Sequence, residues 1–225
     1  MCGRYSLYDS SNLETRYGLR GPVIMAEANY NVAPGHYMPV IVWEEGEKKA
    51  FSMKWGFVPS WAKDTKIGYK LINARDDTLF EKPIWKGLAR HSRALIPARG
   101  FYEWKTDMLG QKQPYFIHPN DEQVFSFAGL YGVWKDVEGY PLYTFTIITT
   151  DANKDMQAIH DRMPVIIERE DEDAWLNQAM VEDQEIMQFL HPSSTGALTL
   201  YPVSKGVNRP ANNSPNLIEI IQNYK

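Results

Sequence analysis

Cysteine is the scarcest residue of the sequence: Cys2 is the only one among 225 residues. One thiol cannot form a disulfide within the chain, which indicates a reducing compartment and favours the cytoplasm. The N-terminus lacks a basic segment followed by an apolar run, so no secretory signal peptide is predicted. Long apolar runs are missing too, because no stretch approaches the ~20 apolar residues of a membrane span. We therefore expect a cytoplasmic protein with no membrane partner.

The spacing of metal ligands is absent as well. None of the intervals among the five histidines and the single cysteine matches a zinc site. We therefore predict neither a metal nor another cofactor.

Basic charge is in deficit overall but concentrated locally. The formal net charge of −4 by itself argues against a nucleic-acid partner. Between residues 48 and 105, however, 13 lysines and arginines stand against 5 acidic residues. A polyanion responds to the field of a surface patch more than to the overall sum. Two interpretations stay open here: lysines that only solvate loops, or a nucleic-acid contact.

Four tryptophans lie in or beside this basic segment: Trp55, Trp61, Trp85 and Trp104. Single-stranded nucleic acids bind surfaces on which aromatic rings alternate with cations, because bases stack on the rings and phosphates pair with the cations. Tryptophans also fill protein cores, so these four residues alone do not decide between the two interpretations.

No regular helix is predicted between the strands in the middle of the chain. Segments such as "MPVIVW", "QPYFIHP", "VFSFAGLYGVW" and "YPLYTFTIITT" are typical of strands, and "EEGE", "NDEQ" and "KDVEG" are typical of the turns that join hairpins. This pattern excludes a doubly wound βαβ fold and favours an α+β fold with a curled, mainly antiparallel sheet and helices around it. No repeat or linker divides the chain, so we expect one domain over residues 1–225.

Short helices are predicted towards both ends of the chain. "DSSNLETRYG" has capping residues in front and Gly18 behind, and "DANKDMQAIH" follows Asp151 as a candidate N-cap. "DEDAWLNQ", "DQEIMQFLH" and "NLIEIIQNY" are the later candidates.

Cys2 directly follows the initiator methionine, a position that is usually frayed and unsuited to a core role. In one interpretation the residue is incidental. In the other, removal of Met1 leaves an α-amine and a thiol on adjacent carbons, and both are partly available as nucleophiles near neutral pH. Such a 1,2-aminothiol condenses with an aldehyde to an imine, which the thiol closes to a thiazolidine ring. The alternative chemistry is acyl transfer, as in N-terminal-nucleophile hydrolases.

Three more polar residues stand in unexpected surroundings: Asn73, Glu103 and His160. Asn73 in "LINARDDT" could orient an amine or stabilise an oxyanion, and Arg75 follows two residues later with a side chain suited to a phosphate. Glu103 lies between two aromatic residues, where partial burial would raise its pKa and make it a general acid or base. Each of these residues also has an ordinary interpretation, as a turn residue or a surface residue of a strand.

His160 in "AIHDRMPVII" lies between a predicted helix and an apolar strand. Its ordinary pKa suits a proton shuttle, and the adjacent Asp161 or Arg162 could tune it or contact a phosphate. The ordinary interpretation is a histidine at the C-terminus of a helix, which interacts with the helix dipole.

Taken together, these segments resemble one protein family. The stretches "MCGRYS", "YNVAPG", "MKWGFVPSW", "LINARDD", "RALIPARGFYEWK", "IHDRMPVII" and "YPVSKGVN" are similar, in this order, to the SOS response-associated peptidase (SRAP) family. The resemblance runs from Cys2 to about Asn208, which is nearly the whole chain. It implies a pseudo-barrel of bifurcated β-sheet with peripheral helices.

The resemblance also implies a function. Members of the family cap abasic sites in single-stranded DNA by forming a thiazolidine between the N-terminal cysteine and the sugar aldehyde. By motif, Cys2 is the nucleophile, Asn73 holds its amine, Glu103 moves protons during imine formation and sugar ring opening, and His160 assists ring opening and the reverse reaction.

The remaining positions that match the family motifs imply contacts with DNA. The arginines are expected to grip phosphates, while the tryptophans and the "VAPG" loop with its neighbour Asn31 are expected to stack on or wedge the bases. These residues are Arg4, Asn31, Trp61, Arg75, Trp104 and Arg162. The implied partner is single-stranded DNA with abasic sites, and nothing in the sequence indicates more than a monomer. Two alternatives stay open: a peptidase that removes its own Met1, and a non-covalent single-strand binder.

Overall fold

The computed structural model describes residues 2–9, 12–20, 27–120 and 124–221, and these form a mainly β structure with a few short helices. The strands are β1 Tyr5–Leu7, β2 Asn29–Val32, β3 Tyr37–Glu44, β4 Glu47–Trp55, β5 Asn73–Arg75, β6 Arg93–Ala98, β7 Gly100–Thr106, β8 Lys112–Pro119, β9 Phe125–Lys135, β10 Pro141–Asp151, β11 Arg162–Pro164, β12 Ile166–Ile167 and β13 Leu198–Pro202. The α-helices are α1 Leu13–Tyr17, α2 Pro83–His91, α3 Glu172–Leu176 and α4 Asp183–Met187. Short 3₁₀ helices span Thr65–Lys70, Asp76–Thr78, Met156–Ala158, Arg169–Asp171, Lys205–Asn208 and Pro215–Ile218.

Five strands close into a barrel. The order β10-β4-β3-β6-β9 returns to β10, because β9 and β10 also pair as a hairpin. All of these pairs are antiparallel except β4 with β10. The turn between β3 and β4 has positive φ at both Glu45 and Gly46, the backbone of a tight two-residue hairpin. The short strands β5 and β11 add to β10 at the edge of the barrel.

A second, smaller sheet has the order β13-β8-β7-β1-β2. Its inner face and the barrel share one hydrophobic core, since Tyr5 of β1 and Phe101 of β7 both pack edge-on against Phe127 of β9. The outer face has its own small apolar cluster, which includes Tyr102 and Phe116. The two sheets therefore form a single domain, and β1 and β7 link the N-terminus to the centre of the molecule.

The helices lie outside the sheets. α2 packs against β6 and β9 through its buried Trp85 and Ala89, and α3 packs against β6. The fold class is confirmed: the structure is α+β, mainly antiparallel, with a curled sheet and peripheral helices. Within the described residues, no helix is both long and apolar enough to cross a membrane.

Four sequence predictions about local structure were wrong. No regular helix was predicted between the strands in the middle of the chain, but α2 lies between β5 and β6. "NDEQ" does not join a hairpin, because β8 pairs with β7 and β13 whereas β9 belongs to the barrel; residues 121–123 of this segment lie outside the described part. Asp151 ends β10 instead of capping a helix, and only the 3₁₀ turn Met156–Ala158 follows it. "NLIEIIQNY" contains only the 3₁₀ turn Pro215–Ile218, and residues 222–225 lie outside the described part.

Candidate active site

Cys2 and Glu103 lie on neighbouring strands of the small sheet. β1 and β7 pair antiparallel with Tyr5 opposite Phe101, so residue numbers on the two strands change in opposite directions. Continuing this register past the start of β1 brings Cys2 beside residues 103–104 of β7. The side chains are buried, with exposed fractions of 0% for Cys2 and 3% for Glu103. The thiol and the carboxyl are therefore both largely shielded from water.

Asn73 reaches the same place from the edge of the barrel. It is the first residue of β5, which pairs in parallel with β10, and its Nδ2 donates a hydrogen bond of 2.8 Å to the carbonyl oxygen of Cys2. Its Oδ1 is buried and accepts no hydrogen bond from the described residues. The side-chain amide thus holds the backbone of Cys2 with one end and presents an acceptor with the other.

His160 lies between the 3₁₀ turn Met156–Ala158 and β11. Its Nδ1 is 2.9 Å from the backbone nitrogen of Arg162, which donates to it, and 2.8 Å from Oδ1 of Asp161. One ring nitrogen cannot accept a proton from the first group and donate one to the second. The backbone hydrogen bond therefore requires an Nδ1 that carries no proton, and a hydrogen bond to Asp161 requires an Nδ1 that carries one.

An open cleft of about 630 Å³ borders Glu103 and His160. Its lining combines these two residues with Trp104, Thr106, Lys112, Ile159 and Asp161. The cluster of Cys2, Asn73, Glu103 and His160, in which Cys2 and Glu103 are buried and Asn73 and His160 half-buried, is thus adjacent to a space that a ligand can enter.

Burial changes the acid–base chemistry of Cys2 and Glu103. Burial raises the pKa of the Cys2 thiol far above its ordinary value, and the carboxylate of Glu103 raises it further. Burial also raises the pKa of Glu103, an effect that the positive charge of His160 opposes. At neutral pH the thiol is consequently protonated, and Glu103 is a stronger base than a carboxylate in water.

Arg4 and Asn31 hold the C-terminal segment rather than facing solvent. Nη1 of Arg4 donates to Oδ1 of Asn31 at 2.7 Å and to the carbonyl of Val207 at 2.6 Å. Asn31 is fully buried, and its Nδ2 donates to the carbonyls of Val207, Arg209 and Asn212. The side chain of Asn31 therefore contacts the C-terminal segment, and its contact with DNA stays a prediction.

Two arginines and three aspartates form what we call the arginine face: Arg75, Asp76, Asp77, Asp151 and Arg162. Arg162 is 4% exposed, and its guanidinium donates to Asp151 and Asp76 at 2.6 Å each. Arg75 is exposed, but it pairs with Asp77. Both guanidinium groups are therefore engaged by carboxylates, and their contacts with phosphates stay predictions.

The four tryptophans divide into two pairs. Trp55 and Trp85 are 1% and 3% exposed and belong to the core. Trp61 is 68% exposed, and Trp104 lines the cleft while its Nε1 donates to Oδ1 of Asn208 at 2.8 Å. Only the second pair can meet a ligand.

Sequence reasoning missed two exposed tyrosines. Tyr37 and Tyr69 are 55% and 61% exposed, and both border the "VAPG" loop, since the ring of Tyr69 lies against Gly35. Their positions beside this loop, in or near the basic segment, were the sequence features that could have identified them as candidate ligand contacts. Among the residues that the structure describes, no group of three or more histidine, cysteine, aspartate or glutamate side chains could hold a metal ion.

Comparison with known proteins shows the family of this chain. The profile described as "SOS response associated peptidase (SRAP)" matches residues 1–210. The chain belongs to the SRAP family. The match includes Cys2, Asn73, Glu103 and His160, and all residues of the arginine face.

Relatives of the SRAP chain span bacteria and animals. It is 42% identical to abasic site processing protein YoqW of Bacillus subtilis, over 97% of this chain and 99% of the relative. It is 34% identical to abasic site processing protein HMCES of Gallus gallus, over 86% of this chain and 66% of that protein. A crystal structure of a Bacteroides thetaiotaomicron protein superposes with a TM-score of 0.89 at 30% identity, over 98% of this chain and 100% of that one.

Proposed function

We propose that this SRAP protein forms a covalent thiazolidine link with the aldehyde of an abasic site in single-stranded DNA, through Cys2 after removal of Met1. The observation that carries the proposal is the cluster of Cys2, Asn73, Glu103 and His160 beside an open cleft, with the thiol and the carboxyl buried. The names of the relatives support a role in processing abasic sites.

The first step is the attack of the Cys2 amine on the aldehyde carbon. Oδ1 of Asn73 is the acceptor that orients the amine, because it is buried next to Cys2 and accepts no other hydrogen bond from the described residues. The carbinolamine then loses one water as the C–N bond becomes an imine. Glu103 supplies the proton to the leaving hydroxyl, and its raised pKa lets it hold that proton nearer neutral pH.

The second step is ring closure. The thiol proton passes to a base while the sulfur bonds to the imine carbon and the imine nitrogen takes up a proton, so no further atom is lost. Because burial keeps the thiol neutral, an adjacent base is required, and the candidate is the carboxylate of Glu103, which interacts electrostatically with the thiol. His160 is at the cleft, where it can transfer a proton during opening of the sugar ring and in the reverse reaction.

Contacts with the DNA divide into direct and indirect ones in this proposal. Trp61 and Trp104 stack on bases beside the lesion, and Arg75 binds a phosphate once Asp77 releases it. Arg4, Asn31 and Arg162 position the surrounding chain. The protein works as a monomer in the cytoplasm, where the thiol stays reduced.

The proposal is tested by incubating the protein with a single-stranded oligonucleotide that contains one abasic site, followed by denaturing electrophoresis. We expect a heat-stable adduct that Cys2→Ala abolishes and Glu103→Gln forms more slowly at unchanged DNA affinity. An equally efficient adduct with Cys2→Ala would refute the proposal.

The same variants separate the alternatives. A peptidase that removes its own Met1 predicts that Cys2→Ala retains Met1 when methionine aminopeptidase is absent, which the intact mass reports. A non-covalent binder predicts DNA binding without any adduct.

A further inference from the structure

We infer that Tyr37, Lys54, Lys66 and Tyr69, here called the tyrosine platform, bind the bases and phosphates of single-stranded DNA next to the active site. The inference rests on the proposed function, because that function supplies the DNA partner. It adds residues that neither the sequence motifs nor the arginine face includes.

Two of these residues face each other across a strand pair. Tyr37 of β3 lies opposite Lys54 of β4 in the antiparallel register. Directly opposite residues of such a pair have Cβ atoms about 4.5–5.5 Å apart, so the two side chains start side by side on the same face of the sheet. The tyrosine is 55% exposed.

The other two residues lie on one 3₁₀ helix, Thr65–Lys70. Lys66 and Tyr69 are three residues apart, and a 3₁₀ helix has three residues per turn, so both side chains project from the same face. This helix is fixed to the end of β4 by direct backbone contact. A Cβ atom on Gly56 would lie 2.7 Å from the carbonyl oxygen of Gly68, which explains why both positions are glycine.

The "VAPG" loop connects the two pairs. A Cβ atom on Gly35 would lie 3.1 Å from the hydroxyl of Tyr69, so that ring rests against the loop, and Tyr37 follows two residues later. The loop backbone thereby holds both tyrosines in one region of the surface.

The charge of this region is available to a ligand. Lys54 and Lys66 form no ion pair with any residue in the described part of the chain, in contrast to Arg75 and Arg162. Exposed rings beside unpaired cations are the features of a surface that stacks bases and neutralises phosphates without reading sequence.

The platform is also close to the proposed chemistry. Tyr69 is four residues from Asn73, and four residues span at most about 14 Å when fully extended. Stacked nucleotides advance about 3.4 Å each. A strand whose lesion is at Cys2 therefore reaches the platform within about four nucleotides.

The test measures binding of lesion-free single-stranded DNA by fluorescence anisotropy, which does not involve Cys2. Loss of one base stack costs about 1–3 kcal/mol, so we expect Tyr69→Ala to bind about 5- to 150-fold more weakly. Tyr69→Phe keeps the ring and should stay within about twofold of wild type, and Met187→Ala, an exposed truncation on α4, should have no effect. With Lys54→Ala and Lys66→Ala combined, the slope of log affinity against log salt should fall by about 1.4.

Several results would overturn the platform. The first is wild-type affinity in both Tyr69→Ala and Tyr37→Ala, and the second is a loss of affinity in Tyr69→Phe as large as that in Tyr69→Ala. The third is that these substitutions weaken binding of duplex DNA, whose bases cannot stack on the protein, as much as binding of single-stranded DNA. The fourth is tenfold tighter binding of RNA than of DNA. A wild-type protein that binds DNA through Tyr69 but forms no adduct would refute the proposed function and leave the platform standing.

Discussion

Two surfaces border the candidate active site, and they treat positive charge in opposite ways. On the arginine face, Arg162 is buried between Asp76 and Asp151, and Arg75 is paired with Asp77. On the tyrosine platform, the lysines have no ionic partner among the described residues and stand beside exposed rings. A count of basic residues along the sequence treats the two surfaces alike.

The difference teaches that availability decides which cations meet a polyanion. A guanidinium held by carboxylates must lose those partners before it binds a phosphate, whereas an exposed lysine exchanges only water and counterions. The arginine face is therefore suited to positioning, above all of His160, whose Nδ1 accepts from the backbone of Arg162. The platform is suited to binding.

The largest effect should come from breaking the buried ion pair. Arg162→Ala leaves Asp76, whose side chain is 15% exposed, without its partner, and we expect a loss of about 3 kcal/mol in stability. For a chain of this size that corresponds to about 6–12 °C in Tm. Arg75→Ala is the matched control, because its pair is exposed and should contribute at most ~1 kcal/mol. Similar Tm losses in the two variants would erase the distinction between a buried and an exposed arginine.

A smaller effect should follow from releasing Arg75. Asp77→Asn removes its partner, so we expect a few-fold tighter binding of single-stranded DNA and a salt slope steeper by about 0.7, equivalent to one more phosphate contact. Asp173→Asn is the matched control, since Asp173 of α3 pairs with Lys48 of β4 and neither residue lines the cleft. If both variants gain affinity equally, the change reflects overall charge and not the arginine face.

The smallest effect concerns the stability of the active site itself. Burial raises the pKa of Glu103 in the folded protein above its ordinary value of 4.5. The protonated carboxyl therefore stabilises the fold fully below pH 4.5, and this contribution is lost as the pH rises through the folded-state pKa. Glu103→Gln carries no charge, so its Tm relative to wild type should increase between pH 4 and pH 7. A Tm difference that is constant over this range would show that the carboxyl is not buried as described.

Much of this comparison could not be predicted from the sequence. The strands, the α+β class and the unusual surroundings of Asn73, Glu103 and His160 follow from local pattern, because alternation and polar residues among apolar ones are visible in short windows. The ion pair of Arg162 with Asp76 joins residues 86 positions apart, and nothing local reveals it. Burial of Trp55 and exposure of Tyr69 likewise depend on the closure of the barrel.

The failed turn prediction has the same origin. "NDEQ" has the composition of a hairpin turn, but β8 and β9 belong to different sheets, so strand pairing and not turn composition determines the topology. For the same reason, Asp151 became a partner of Arg162 and not a helix cap.

The central claim is that the sulfur and the nitrogen of one residue, Cys2, bind the same aldehyde carbon. Tandem mass spectrometry of the peptide recovered after reaction with abasic single-stranded DNA tests it directly. We predict that Met1 is absent, that the modification lies on residue 2 with the loss of one water relative to the two reactants, and that iodoacetamide no longer alkylates the thiol. A modified lysine accompanied by an alkylatable Cys2 would contradict the account.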